Sequence, residues 1–357
     1  MSEPRPVRVD PAEPRWDAYV RAHPRATLYQ LGAWARVLRE SYRFEPRYLG
    51  LEDEDGELHG VLPLLYKKGL VSDARARSLP VFPAGGPLAD MRAQEIALVR
   101  AARDSALGDA SVLAVISPAD YEQELPEFLT DRLPPRWMLG VPADLDALRA
   151  DWRKTSNNLF RSLKKADKAG FALREGTSPG DLRRFYRLYL RTMRKHRTLP
   201  RSLRQLELSR DLLGPGEFRL FLVERDGELA AGGVFHVFGG TVELIYNGSD
   251  DAVLDLRPNH ALYWKVISWA AEHGHRTFDF GEASPTTSLG RFKSQWAEPV
   301  PNYRYTWRAS GGPSRAESMA ATSYEVEQGG GGLVAAAWRR TPLQLTRIGA
   351  SLAYRYL

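Results

Sequence analysis

Cysteine is absent from the 357 residues. That excludes disulfides, thiolate metal sites, iron–sulfur clusters and a cysteine nucleophile. No run of about 18 apolar residues occurs, so no helix is expected to cross a membrane. The opening stretch MSEPRPVRVDPAEPRW lacks the apolar core of a signal peptide, and a cytoplasmic protein is expected. There is no P-loop, GxGxxG, GxSxG elbow or HExxH. His273-Gly-His275 has no third ligand of the right type nearby and reads as a helix end followed by a strand. Asp53-Glu-Asp55-Gly56 lacks the later Glu that a calcium loop needs, and reads as a hairpin. No metal and no tightly bound cofactor is expected.

What is present is an ordinary globular composition, 43% hydrophobic and 26% charged, long enough for two or three domains. An internal echo stands out. Residues 46–66 (PRYLGLEDEDGELHGVLPLLY) and 218–238 (FRLFLVERDGELAAGGVFHVF) each read as apolar strand, acidic turn and apolar strand. Asp-Gly between apolar runs marks a hairpin, because glycine accepts the positive φ of the turn. A helical pattern precedes each copy: Leu28 to Tyr42, with Leu31, Trp34, Val37 and Leu38 on one face, and Asp181 to His196. A duplicated α/β unit is expected, with mixed sheets in residues 1–149 and 150–308. A helix from Ser156 to Ala169 opens the second unit and Gly170 ends it. Residues 309–332 read as a flexible linker rich in Gly, Ser and Ala. Residues 333–357 read as an amphipathic helix lined by Leu345, Ile348, Leu352 and Tyr356, basic enough to touch an anionic membrane surface.

The net charge of +6 hides an asymmetry. Residues 153–168 carry a net +5 and residues 183–204 a net +9, which leaves −8 for the rest. Arg183, Arg187, Arg191 and Arg194 recur at helical spacing. Such a field concentrates phosphates. Arg161, Lys164, Lys165, Arg187 and Arg191 are the expected phosphate contacts, those of the donor on the resemblance given below. Asn259 joins them, at the start of a helix whose free amides suit an anion. Other polar residues stand at element ends: Asp90, a plausible N-cap, after the turn 82–87; Tyr246 before a turn; and Lys293 in the mixed basic and aromatic stretch 289–296.

The order of these pieces resembles the Fem-type aminoacyl-tRNA-dependent peptidyltransferases, which are built as two tandem GCN5-related acetyltransferase (GNAT) folds. The matching stretches are Tyr29-Gln30 with Trp34-Ala-Arg36, Gly85 to Asp90, Arg161 to Ala166, Thr192-Met-Arg194, Tyr246 to Ser249, Phe278 to Gly281 and Phe292-Lys293. They span residues 25–307. The long helical arm of some members has no counterpart here.

The resemblance implies two tandem GNAT-like domains followed by a C-terminal helical tail. It gives Arg36 and Arg194, with Thr192, the phosphates of an acceptor. It gives Asp90 the proton of the attacking amine, Tyr246 a wall of the acceptor channel, and Phe292-Lys293 the flanks of the aminoacyl ester. It implies an amine attacking an activated acyl carbonyl, with no covalent enzyme intermediate. The donor so implied is aminoacyl-tRNA, and the acceptor is a phosphate-bearing peptidoglycan precursor met at the inner membrane surface. An acyl-CoA-dependent N-acyltransferase serving exopolysaccharide or small-molecule assembly is the alternative. A non-catalytic RNA- or phosphate-binding protein is the third reading. Asp90, Arg36 and Lys293 are expected to surround one crevice.

Overall fold

The computed structural model describes residues 3–309 except 69–73, 79–84, 107, 109 and 197. The linker and C-terminal helix expected from residue 310 onward lie outside the described residues, as does the first part of the turn 82–87. The first part of the chain runs β1 (Arg5–Arg8), α1 (Pro14–Ala22), a 3-10 turn (Leu28–Gln30), α2 (Gly32–Tyr42), β2 (Glu45–Pro46), β3 (Leu49–Glu52), β4 (Leu58–Leu62), β5 (Leu65–Lys67), β6 (Arg75–Arg77), β7 (Leu88–Ala89), α3 (Arg92–Ala101), β8 (Val112–Ser117), β9 (Leu129–Arg132) and β10 (Arg136–Gly140). The second part runs α4 (Leu145–Thr155), α5 (Asn157–Lys168), β11 (Ala172–Glu175), α6 (Pro179–His196), α7 (Leu203–Leu212), β12 (Phe218–Arg225), β13 (Glu228–Phe238), β14 (Thr241–Ser249), α8 (Pro258–Glu272), β15 (Thr277–Glu282), α9 (Ser288–Lys293), β16 (Glu298–Val300) and β17 (Tyr303–Arg308).

Both echoed segments are hairpins. Asp226 and Gly227 sit at φ 52° and 80°, the two positive values of a type I′ hairpin turn. In the other copy the Asp53 carboxylate accepts the backbone N–H of Asp55 and of Glu57 at 3.0 Å, and Gly56 takes φ 84°. Gly170 takes φ 70° just past α5. The helix expected from 156 to 169 is preceded by a second one. Asp144 caps α4 through the Ala147 N–H at 2.9 Å, and the non-helical Ser156 separates α4 from α5.

Three sheets result. Two belong to the first lobe, β1-β3-β4-β7 and β2-β5-β6-β8-β17-β9; the third is β11-β12-β13-β14-β15-β10-β16. The lobes exchange strands. β10, from the first half of the sequence, pairs with β15 and β16. β17, from the end of the second half, lies between β8 and β9. The expected cut between 149 and 150 therefore severs two sheets. The match between the lobes extends to their pairing: β6 is parallel to β8, and β14 is parallel to β15.

Alternation along β12 sends Phe221 and Val223 to one face, against Trp152, Leu159 and Leu163 of α4 and α5 and Leu262 and Val266 of α8. It sends Leu220 and Leu222 to the other, against Leu182, Phe185 and Leu188 of α6 and Leu206 of α7. The two basic helices thus lie on opposite faces of one sheet. The positive charge that the sequence places on two helices is therefore divided between two surfaces. The lobes also share a core: Trp34, Val37 and Leu38 of α2 pack with Leu199, Leu208 and Leu213.

Candidate functional site

β14 and β15 pair over three rungs, from Thr241↔Thr277 to Glu243↔Asp279, and then part. The last rung holds two buried carboxylates side by side. Arg136 of β10 donates from one nitrogen to Glu243 Oε1 at 3.3 Å and to Asp279. From the other lobe, the Tyr29 hydroxyl donates to Glu243 Oε2 at 2.8 Å. A buried charge is tolerable only when so partnered. Burial still pushes Glu243 up to about 7, against the pull of Arg136.

Lys293, the last residue of α9, stands near this rung. The residue is 7% exposed, and its ammonium donates to the Glu282 carbonyl at 2.8 Å. Burial lowers its pKa to about 8, with Asp279 and Glu282 acting the other way. An ammonium has three donors. Gly281 takes φ 74°, and a Cβ built there would stand 3.7 Å from Nζ. The missing side chain leaves room for a small acceptor against a buried positive charge. Phe292 beside it is half-buried in an aromatic cluster, edge-on to His260 at 5.2 Å and near Tyr263 and Trp296.

Asp90 lies between β7 and α3, where Met91 and not Asp90 takes the N-cap position. Its side chain is 77% exposed and meets His23 Nε2 at 3.5 Å. Arg36 sits on the exposed side of α2, 3.9 Å from Glu40, and lines a cleft of about 290 Å³ with Asp10, Glu13, Asp17 and Arg39. Among the described residues no hydrogen bond or ion pair joins any two of Asp90, Arg36 and Lys293. The expectation of one shared crevice is not met by direct contact. One short segment runs between the three settings. Tyr29 reaches Glu243; Gln30 donates to the Gly86 carbonyl at 3.0 Å, just before Asp90; and α2 then carries Arg36.

The remaining expected residues divide. Thr192 donates to the Leu188 carbonyl and accepts the Ser249 N–H, both at 3.2 Å, so its hydroxyl ties α6 to the end of β14 and is not open as a phosphate clamp. Arg194 is half-buried on the same helix. Tyr246 is buried; its hydroxyl accepts from Gln205 at 3.1 Å, and Gln205 in turn accepts from Tyr42 of the other lobe at 2.6 Å. Burial holds the Tyr246 phenol well above its usual range. It braces the lobe junction and presents no free channel wall. Arg161, Lys164 and Lys165 are exposed on α5, and Arg187 and Arg191 on α6, across the sheet from them. Asn259 donates to Ser249 Oγ at 3.2 Å, while its buried side-chain Oδ1 has no partner among the described residues.

Sequence reasoning missed Arg136, Glu243, Asp279, Gln205 and His23. Of these, only Asp279 stood inside a stretch already singled out, as did Tyr29, the partner of Glu243. Among the described residues there is no group of three or more metal-ligating side chains, and no helix is long and apolar enough to span a membrane.

This arrangement of strands and helices has the GNAT fold. Residues 153–294 match the acetyltransferase (GNAT) domain family. The chain is 23% identical over 314 residues to the UDP-N-acetylmuramoylpentapeptide-lysine N(6)-alanyltransferase of Weissella viridescens, covering 80% of this chain and 90% of that protein. Among solved structures it resembles FemX, with a TM-score of 0.67 at 17% identity over 84% of this chain and 96% of the other. It also resembles a tandem GNAT protein from the clavulanic acid biosynthesis pathway, with a TM-score of 0.52 at 14% identity over 87% and 99% of the two chains. The fold is therefore the tandem GNAT arrangement, and the chain resembles the Fem-type transferases in sequence and in structure.

Proposed function

We propose that the protein transfers an amino acid from aminoacyl-tRNA to an amine of a peptidoglycan precursor, forming an amide by direct attack. Lys293 carries this reading: a buried ammonium beside a glycine, at the point where β14 and β15 part. The similarity to an alanyltransferase over most of the chain supports it.

The amine nitrogen bonds to the ester carbonyl carbon, and the carbonyl electrons move onto oxygen. The two remaining N–H donors of Lys293 offset that charge in a site poor in water. Asp90 takes the proton from the attacking nitrogen, directly or through water. The C–O bond to the ribose then breaks, and the departing oxygen takes up the proton. Amide and uncharged tRNA result. The ester is already reactive, so alignment is the protein's main task. Because α5 shares its core with α8 and Phe292, its exposed Arg161, Lys164 and Lys165 are assigned to the tRNA. Arg187 and Arg191, expected among the donor contacts, lie on the opposite face of the sheet from α5 and are reassigned, with Arg194 and Arg36, to acceptor phosphates. The place of action is the cytoplasm, at the inner membrane surface where such precursors are elaborated.

A second reading, with acyl-CoA as donor, is favoured by the start of α8. Arg257 takes φ 68° before Pro258, and no side chain caps the first turn, which leaves amides aimed at an anion. The test is a donor comparison on the purified protein with UDP-N-acetylmuramoyl-pentapeptide as acceptor and mass detection. Transfer from alanyl-tRNA, abolished by ribonuclease, is the expected result. Transfer from acetyl-CoA in RNA-free buffer overturns the tRNA assignment.

A further inference from the structure

His23 follows α1 directly and caps it, its backbone N–H bonding to Tyr19 and Val20. Its side chain is only 4% exposed. One ring nitrogen, Nδ1, accepts the backbone N–H of Arg25 at 3.2 Å. A nitrogen that accepts carries no proton, so the neutral ring holds its hydrogen on Nε2. Burial, and then the Arg25 charge, favour the neutral form. Nε2 faces Asp90 Oδ1 at 3.5 Å, with the Ala89 backbone as a second partner of the ring, and no other side chain among the described residues forms an ion pair with that carboxylate.

The backbone ahead of Asp90 is held from several sides. Arg25 donates to the Ala89 carbonyl and stands 2.7 Å from Glu95 Oε1. The Tyr121 hydroxyl donates to the other Glu95 oxygen at 2.6 Å. Ala89 pairs with Gly60 of β4. The peptide is fixed, while the carboxylate itself projects into solvent with His23 as its ion-pair partner and Tyr19 nearby.

We infer that His23 is a positioning residue for Asp90: a buried imidazole, locked in one tautomer, whose Nε2–H steers the carboxylate toward the amine it deprotonates. With Nδ1 occupied by the Arg25 N–H, the ring cannot take up the proton itself; it orients the base and does not relay. This rests on the assignment of Asp90 as the base.

The test is steady-state transfer from alanyl-tRNA to UDP-N-acetylmuramoyl-pentapeptide by the full chain. His23→Leu is expected to lower kcat about 10- to 100-fold with KM for both substrates unchanged, since misplacement of a catalytic group costs on that order. His23→Gln, whose amide restores a donor, recovers most of the loss. Asp90→Asn loses at least as much as His23→Leu, and the double variant is no slower than Asp90→Asn alone. Full activity in His23→Leu beside an impaired Asp90→Asn removes His23 and spares Asp90; full activity in Asp90→Asn removes the base assignment itself. Side-chain 15N NMR of the labelled protein gives a readout independent of substrate and of variant folding. The Nε2–H tautomer is expected at pH 7, and the Nδ1–H tautomer overturns the inference.

Discussion

Glu243 and Asp279 face each other on the last paired rung of β14 and β15, and one guanidinium, that of Arg136, bridges them. Glu243 also receives the hydroxyl of Tyr29 from the opposite lobe. The rung thus joins the lobe junction to the neighbourhood of Lys293.

The first consequence concerns pH and stability. Burial holds Glu243 up to about 7 in the folded protein, above its ordinary value. Between the ordinary value and about 7 the folded state keeps a proton that the unfolded state has lost. This contribution is full below the ordinary value of 4.5 and is lost as pH rises from there to about 7, by on the order of 3 kcal/mol. Glu243→Gln is expected to flatten this decline. Denaturant unfolding at pH 5 and pH 8 measures it; equal losses in both proteins contradict the assignment.

Lys293 sets the alkaline limb of activity. Its ammonium gives up its proton near pH 8 because burial disfavours the charge. Transfer should decline as pH rises through that value. Lys293→Met should be slower by about 100- to 1000-fold, the scale of losing one oxyanion donor, and should show no such limb. In the folded protein the depressed pKa favours the neutral amine, so the site's contribution to stability rises with pH above 8. A wild-type pH–rate profile that stays flat to pH 9.5 would remove Lys293 from the chemistry.

Strand exchange predicts the behaviour of the halves. Residues 1–149 alone lack β17, leaving β8 and β9 without the strand between them. An unpaired internal strand edge exposes its N–H and C=O groups, which favours association over folding. The fragment is expected to show no cooperative thermal transition. A sharp, reversible melt from residues 1–149 would show that β17 is dispensable.

The separation of the basic helices predicts distinct effects on RNA. The paired substitution Lys164→Glu with Lys165→Glu on α5 should weaken tRNA binding and shallow its salt dependence by about two charges' worth. Arg187→Glu with Arg191→Glu on α6 should leave that slope alone and raise KM for the acceptor. Filter binding across a salt series distinguishes the two; an unchanged slope for the α5 variant refutes its assignment.

The sequence by itself determined the local pieces. Asp226-Gly227 fixed one hairpin, because the pair suits the type I′ turn, with two positive φ values, that joins strands so tightly. The apolar face of α2 was legible from Leu31, Trp34, Val37 and Leu38, all buried. Gly170 marked a helix end, and the positive charge of α5 and α6 was countable. These signals act within a few residues of one another.

Only the tertiary structure decided which of them meet. Tyr29 and Glu243 are 214 positions apart, and Arg136 and Asp279 are 143 apart, so no local pattern pairs them. The placement of α5 and α6 on opposite faces follows from alternation along β12, a packing outcome that summed charge cannot reveal. The exchange of β10 and β17 is of the same kind: a strand's own residues specify that it is extended, and its hydrogen-bonding partner is set by where the folded chain brings an open edge.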